Sequence, residues 1–313
     1  MSYTSDELVQ SVKVRAAIPT SQQTFTTADF LQLADEELDS KVIPLMFALR
    51  QEYYVTYEDY AITDPNQERW EMPERGIGNN LRDLIYSPSN PITANSTLWS
   101  VDRVEPDQVW TRNVNSTFRD VQFYLQDNFV YLVRRAQITG GTLRMVFHER
   151  PNRLIQVSSC AQVTTPGSTV QTVSNIPSSW TAGTVLDLIK GKSPYRPKQR
   201  ELVIDSIDRD LNTVTLTTDI SDDDDNSVAT SDYLCPTGFT CIPRVPIEVS
   251  PWLAQLVAVK CLEALRDAQG AQLAQAKAAE LENSLGRILS PRVRGEPRKI
   301  VSTNMFYNWR GGR

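Results

Sequence analysis

Few residues of this chain are equipped for chemistry. Its one histidine is His148, and its four cysteines are Cys160, Cys235, Cys241 and Cys261. A Ser-His-Asp relay needs an orienting acid and a nucleophile held beside the base, and the sequence has no Gly-x-Ser-x-Gly turn to present one. No glycine-rich phosphate loop of the Walker or Rossmann type occurs either. His148, just ahead of Glu149-Arg150-Pro151 in a predicted strand, therefore reads as a surface or interface histidine. Neither catalysis nor a cofactor is expected.

Metal chemistry has two candidate locations. Structural zinc takes four thiolate or imidazole ligands, usually from closely spaced pairs, and no Cys-x-x-Cys pair exists here. Cys235 and Cys241 bracket Pro236-Thr237-Gly238-Phe239-Thr240, a spacing open either to a disulfide or to two reduced thiols. Cys261 falls in an apolar helix and reads as core. The run Asp222-Asp223-Asp224-Asp225 offers carboxylates, which hard cations favour. Consecutive residues cannot all aim inward, however, and the alternating ligands, glycine and closing glutamate of a calcium loop are missing. The run reads as a solvated loop, no metal site is expected, and a metal-dependent hydrolase built on His148 and these aspartates ranks last among the functions weighed.

Aromatic side chains form a third group. Trp70, Trp99, Trp110, Trp180 and Tyr195 would make a stacking platform for sugars or bases if they converged, but their scatter among strand and turn signals points to core and edge packing. Phe306, Tyr307 and Trp309 differ, because they cluster in a cationic stretch. Large rings in that setting read as anchors for a partner's pocket.

The charge is unevenly spread. The net value is −6, yet from Pro291 to Arg313 the cations Arg292, Arg294, Arg298, Lys299, Arg310 and Arg313 face only Glu296, so this stretch carries +5 and the rest −11. An acidic body with a basic arm suits docking onto an acidic surface more than onto nucleic acid. With 313 residues, 40% hydrophobic and 22% charged, the composition is that of a globular chain able to bury one large core or two modest ones. No run of eighteen apolar residues exists, and the opening Met1-Ser2-Tyr3-Thr4-Ser5-Asp6-Glu7 lacks the basic-then-apolar order of a signal peptide. Neither a membrane helix nor secretion is expected.

Five stretches organise these groups. Residues 1–52 read as helices: Thr4 and Glu7 have capping-box spacing, Thr26 or Thr27 starts a second helix, and a third runs from about Ile43 to Gln51. Residues 53–154 turn β-rich, with strands over Tyr53–Ile62, Leu81–Tyr86 and Leu98–Val104. A hairpin follows in Val121–Leu125 and Phe129–Val133 around Asp127-Asn128, then a strand over Thr142–His148. Residues 155–245 form a second β unit, a small barrel or sandwich with strands near Thr169–Val173, Val185–Ile189, Glu201–Ile207 and Val214–Thr218. Residues 246–289 return to helix after Ser250-Pro251, with a break near Gly270. Residues 290–313 are the extended arm.

The chain resembles the head-to-tail adaptor, or head-completion, proteins of tailed bacteriophages. The likeness rests on Asp6-Glu7-Leu8-Val9 through Ile18-Pro19, Phe25 with Asp29-Phe30-Leu31, Arg150-Pro151-Asn152-Arg153-Leu154, Pro246-Ile247-Glu248-Val249, Leu262-Glu263-Ala264-Leu265, and Ser290-Pro291-Arg292-Val293 through Ile300-Val301. It spans nearly the whole chain and is weakest from Ile155 to Cys241.

The five stretches by themselves point to an α+β fold, a helical-bundle adaptor core made by the N- and C-terminal helices, interrupted by a β-rich insertion and followed by an extended arm, and the resemblance agrees with it. The resemblance implies a virion protein made in the bacterial cytoplasm. Its place would be a ring, commonly a dodecamer, below the portal protein, joining the head to a distal neck or tail protein while DNA passes without sequence-specific binding. The ring-forming helices would carry Leu253, Leu256, Val257, Leu265, Leu273, Leu281 and Leu285. The arm would dock on the portal through Arg292, Arg294, Arg298, Lys299, Ile300, Val301, Phe306, Tyr307, Trp309 and Arg310. A receptor- or glycan-binding tail protein is the alternative.

Overall fold

The computed structural model describes residues 3–19, 24–64, 67–93, 95–109, 122–133, 140–220 and 227–289. The arm, Trp110 and the run Asp222–Asp225 lie outside the described residues.

Helices open the chain because their ends are capped. In α1 (Ser5–Arg15) the Thr4 hydroxyl accepts the Glu7 N–H while Glu7 accepts the Thr4 N–H at 2.8 Å; Thr26 and Asp29 repeat the device at α2 (Thr27–Glu37). Each box satisfies two amides that the first helical turn leaves unpaired. A π turn at Leu38–Val42 leads into α3 (Ile43–Leu49).

Strands then take over: β1 (Val55–Ala61), β2 (Arg69–Glu71), β3 (Gly76–Ser87), β4 (Trp99–Ser100) and β5 (Asp102–Arg103), a single turn α4 (Pro106–Val109), β6 (Gln122–Gln126), β7 (Phe129–Val133), β8 (Thr142–Glu149) and β9 (Arg153–Leu154). Two four-stranded sheets result, ordered β1-β8-β3-β4 and β2-β7-β6-β5. Trp70, Leu84, Tyr86, Phe123, Val130 and Met145 from both sheets share one core. The β6–β7 hairpin turns at Asp127, whose φ of +54° is the left-handed conformation expected of the Asp-Asn pair.

The next unit is β10 (Ala161–Thr165), β11 (Val170–Val173), β12 (Val185–Ile189), β13 (Pro197–Asp208), β14 (Thr213–Leu216) and β15 (Tyr233–Pro236), closed into a barrel in the order β10-β11-β14-β13-β12-β15. Alternate residues such as Val163, Leu186, Leu188, Ile204 and Val214 fill it around Trp180. β16 (Phe239–Thr240) pairs in parallel with β9. The chain ends its described part in α5 (Ser250–Ala264) and α6 (Ala268–Ile288), where Pro251 occupies the first helical turn and needs no amide partner. The break falls at Leu265–Asp267, ahead of Gly270, whose N–H is taken by the Asp267 carboxylate at 2.9 Å.

A helical-bundle core interrupted by a β insertion does not describe this molecule. Helix and strand each take up about 32%, and the fold is mixed α/β with a six-stranded barrel. The reason lies in where apolar side chains close on one another. The helices share a core with Tyr54, Leu154 and Val245, whereas the two sheets together bury a second core and the barrel a third. Capped helices are marked within a few residues of sequence, whereas closing β10 to β15 into a barrel depends on pairings such as β10 with β15 that lie some seventy positions apart. No described helix is long and apolar enough to cross a membrane.

Candidate functional site

The α5–α6 hairpin carries the ring-forming residues expected from sequence and leads directly into the arm. α5 is enclosed, with Trp252, Leu253, Ala254, Leu256, Val257, Ala258 and Cys261 all buried against α1, α2 and α6. Gln255 sits in the same interior and makes its polarity useful. Its Nε2 donates to the Ala274 carbonyl at 3.1 Å, and its Oε1 accepts from Arg15 Nη1 at 2.8 Å, so one side chain joins three helices.

α6 behaves differently. Its inner face is Ala271, Ala274, Ala278 and Leu285, spaced for one helical side. Its outer face leaves Leu273 63% and Ile288 57% exposed, with Leu265 at 43% in the turn before it. The ring residues expected from sequence thus divide. Leu253, Leu256, Val257 and Leu285 belong to the subunit's own interior, Leu281 is half-buried, and Leu265 and Leu273 face outward. The root of the arm is fixed, because Leu289 is buried and its carbonyl accepts from Arg50 Nε at 3.5 Å. Arg292, Arg294, Arg298, Lys299, Ile300, Val301, Phe306, Tyr307, Trp309 and Arg310 lie beyond the described residues.

A cleft of about 970 Å³ opens between the helices and the strands, with Asp35, Glu58, Arg75, Arg153 and Arg200 among its walls. Its charges are largely spoken for. Glu149, buried at the end of β8, holds Arg244 with one oxygen at 2.5 Å and Arg200 with the other, and Arg200 also stands 3.9 Å from Glu58. Burial pushes both guanidinium groups down to about 10, so both stay cationic at neutral pH. Asp35 is the group in the cleft best tuned for proton transfer, since burial raises its carboxyl to about 7. It is nevertheless engaged by the Leu154 N–H at 3.0 Å and 3.2 Å. Asp187, fully buried in β12, accepts from Asn152 and from the Gly238 amide.

The other residues singled out by sequence are dispersed. His148 and Phe47 stand nearly perpendicular with ring centroids 4.9 Å apart, and the buried His148 Nε2 has no hydrogen-bond partner among the described residues. Burial, then the charge of Arg82, lowers its pKa, so the ring is neutral near pH 7. Trp70 lies in the sheet core, Trp180 in the barrel and Tyr195 in a third cluster, while Trp99 is a partly exposed edge beside Tyr86. Among the described residues these rings share no platform.

Three cysteines, by contrast, converge. The sulfurs of Cys160, Cys235 and Cys241 lie within 4.8 Å of one another, all buried and all free thiols, with Cys235 Sγ to Cys241 Sγ at 4.0 Å. Hydrogen bonds from the sulfurs of Cys160 and Cys235 lower the pKa of the Cys241 thiol, and burial pushes Cys235 well up. The fold brings them together by strand register. β10 and β15 pair Ala161 with Leu234, and continuing that register by one residue sets Cys160 opposite Cys235. Sequence spacing flagged Cys235 and Cys241 but gave no sign of Cys160, 75 positions earlier. Likewise Glu149 and Arg244 meet across 95 positions, and no periodicity marks such a pair. No protein-family model matches this chain, and no curated protein is similar to it beyond chance.

Proposed function

We propose that this protein is a structural subunit of a tailed-phage virion that forms a ring below the portal and joins the filled head to the tail or the next neck component. The observation that supports this most is the contrast within the α5–α6 hairpin: α5 spends its apolar residues inside the subunit, whereas α6 holds Leu273 and Ile288 in the open and ends where the basic, aromatic arm begins. A second copy of the chain is the occupant assigned to that outer face. Ala276, one turn from Leu273 on the same side of α6, lets a neighbouring helix approach closely there. The arm supplies the upward contact. Arg292, Arg294, Arg298 and Lys299 pair with acidic or carbonyl groups of the portal protein while Phe306, Tyr307 and Trp309 fill apolar grooves.

Ordering such an arm costs conformational entropy residue by residue, so it binds where a complementary surface offsets that cost. Repetition around a ring turns individually weak contacts into a strong attachment. The acidic body repels phosphate and keeps the lumen wall from gripping the genome in transit. No catalysis enters this role. For the glycan-binding alternative, Trp70, Trp99, Trp180 and Tyr195 do not converge, and the aromatic rings that do gather are Tyr124, Phe129 and Tyr131 on one face of the β6–β7 hairpin.

The test is deletion of residues 292–313, followed by portal pull-down and by counting completed heads. Loss of portal binding with the folded body intact is the expected result. Normal portal binding by the truncated chain removes the arm from the mechanism, and a full-length chain that never binds portal removes the neck assignment.

A further inference from the structure

We infer that Cys160, Cys235 and Cys241 form a three-sulfur site for a soft, closed-shell metal ion, of the kind represented by monovalent copper. The geometry is that of a ligand set. An ion about 2.3 Å from each of three sulfurs at the corners of a triangle sets those sulfurs about 4.0 Å apart. The Cys235–Cys241 separation is 4.0 Å, and Cys160 completes the triangle inside 4.8 Å.

The surroundings select the class of ion. Ile189, Tyr195, Tyr233 and Ile242 close around the sulfurs, with Ile155 and Val157 packed outside them. Thiolate sulfur favours soft ions over the hard cations that take carboxylate and water. Among the described residues no carboxylate or imidazole joins the group as a fourth ligand. Zinc wants that fourth position filled, whereas monovalent copper accepts three sulfurs. Each thiol that ligates gives its proton to the solvent, so uptake is coupled to pH.

The location suggests what the ion does. The Cys241 carbonyl accepts the Ser5 N–H at 2.7 Å, and the Ser5 hydroxyl donates to the Ile155 carbonyl at 2.7 Å. The cluster therefore sits where the start of α1, the β10–β15 seam of the barrel and β16 meet. An ion there clips the helical layer to the barrel, and binding to the folded state alone raises stability with ion concentration.

The experiment uses the full chain, reduced and stripped of metal by chelators under anaerobic conditions. Cu(I) is titrated against a competing copper chelator and Zn(II) in parallel against a chromophoric zinc chelator, with native mass spectrometry and thiolate-to-metal absorption as readouts. One copper per chain is expected, held at least tenfold more tightly than zinc and accompanied by a higher Tm. Stoichiometric binding is lost in Cys160→Ser and Cys241→Ser and retained in Cys261→Ala, whose sulfur lies in α5. If the serine variants do not fold, alkylation of the wild-type chain decides: copper slows modification of the three clustered thiols by a larger factor than that of buried Cys261, which shares only the general gain in stability. Tighter zinc than copper overturns the three-coordinate assignment. A reduced chain that binds neither ion, or binding that survives both serine substitutions in folded protein, overturns the site.

Discussion

The Asp35 carboxylate accepts the Leu154 N–H at 3.0 Å and so ties α2 to β9 across 119 positions of sequence. This bond is the polar counterpart of the apolar contact that Leu154 makes with the helical core. It also gives the fold a titratable joint, because the desolvation that accompanies the bond opposes the carboxylate's charge.

Asp35 makes stability depend on pH. Burial raises its carboxyl from 3.8 to about 7, so the folded state holds a proton that the unfolded chain has released. Its contribution is fully present below the unfolded value and is lost as pH rises through about 7, a change of roughly 4 kcal/mol at most. In Asp35→Asn the side-chain carbonyl still accepts from Leu154 and cannot ionise. Urea unfolding should show the variant gaining on the wild type between pH 4 and pH 8, and parallel curves over that range would refute the assignment.

How much of this was legible beforehand depends on the range of the signal. The Thr4–Glu7 box, the Asp127 turn and the strands near Val185–Ile189 were readable because each is encoded within a few residues. Asp35 with Leu154, Glu149 with Arg244, and Cys160 with Cys235 were not, since each pairing exists only once strand order and register are set. Leu273 and Leu285 share α6, yet the first is exposed and the second buried, for a related reason. Residues 12 apart on a helix lie about 120° round from each other, and only the position of α5 says which side is inward.

The barrel contains a charge pair whose two members stand or fall together. Lys198 Nζ lies 2.7 Å from Asp232 Oδ2, with both side chains at most 5% exposed, and Asp232 also accepts the amides of Gly191 and Ala229. Removing the acid leaves the buried ammonium with only the Ser227 carbonyl and no counter-charge, and strands two amides. Asp232→Ala should lose about 3–5 kcal/mol in equilibrium unfolding, and adding Lys198→Met should restore a large part of it. Strictly additive losses in that double-mutant cycle would show the pair to be uncoupled.

Two glycines separate backbone strain from collision. Gly141 has φ +103° at the entrance to β8, and a methyl group there would come within 2.2 Å of the Ser87 carbonyl oxygen; Gly183 has φ +85° with open space around it. Alanine at either position costs about 1–3 kcal/mol for the left-handed backbone. Only Gly141→Ala adds displacement of the β3–β8 edge, so it should melt well below Gly183→Ala. Equal Tm values for the two variants would mean the strand edge yields freely.

The outer face of α6 should be dispensable for folding and needed for assembly. Leu273→Glu and Ile288→Glu place charge where the side chain already meets solvent, and surface changes of this kind stay within about 0.5 kcal/mol. Leu285→Ala, on the buried face, should instead cost about 2–5 kcal/mol through the cavity it leaves. Light scattering on a size-exclusion column reads the contrast. The proposed ring should dissociate to stable monomers in the glutamate variants, while Leu285→Ala should lower the Tm with subunit contacts retained at temperatures where it is folded. Glutamate variants that assemble as the wild type does would move the subunit contact away from α6, because a carboxylate cannot be buried against a neighbouring apolar helix without a partner for its charge.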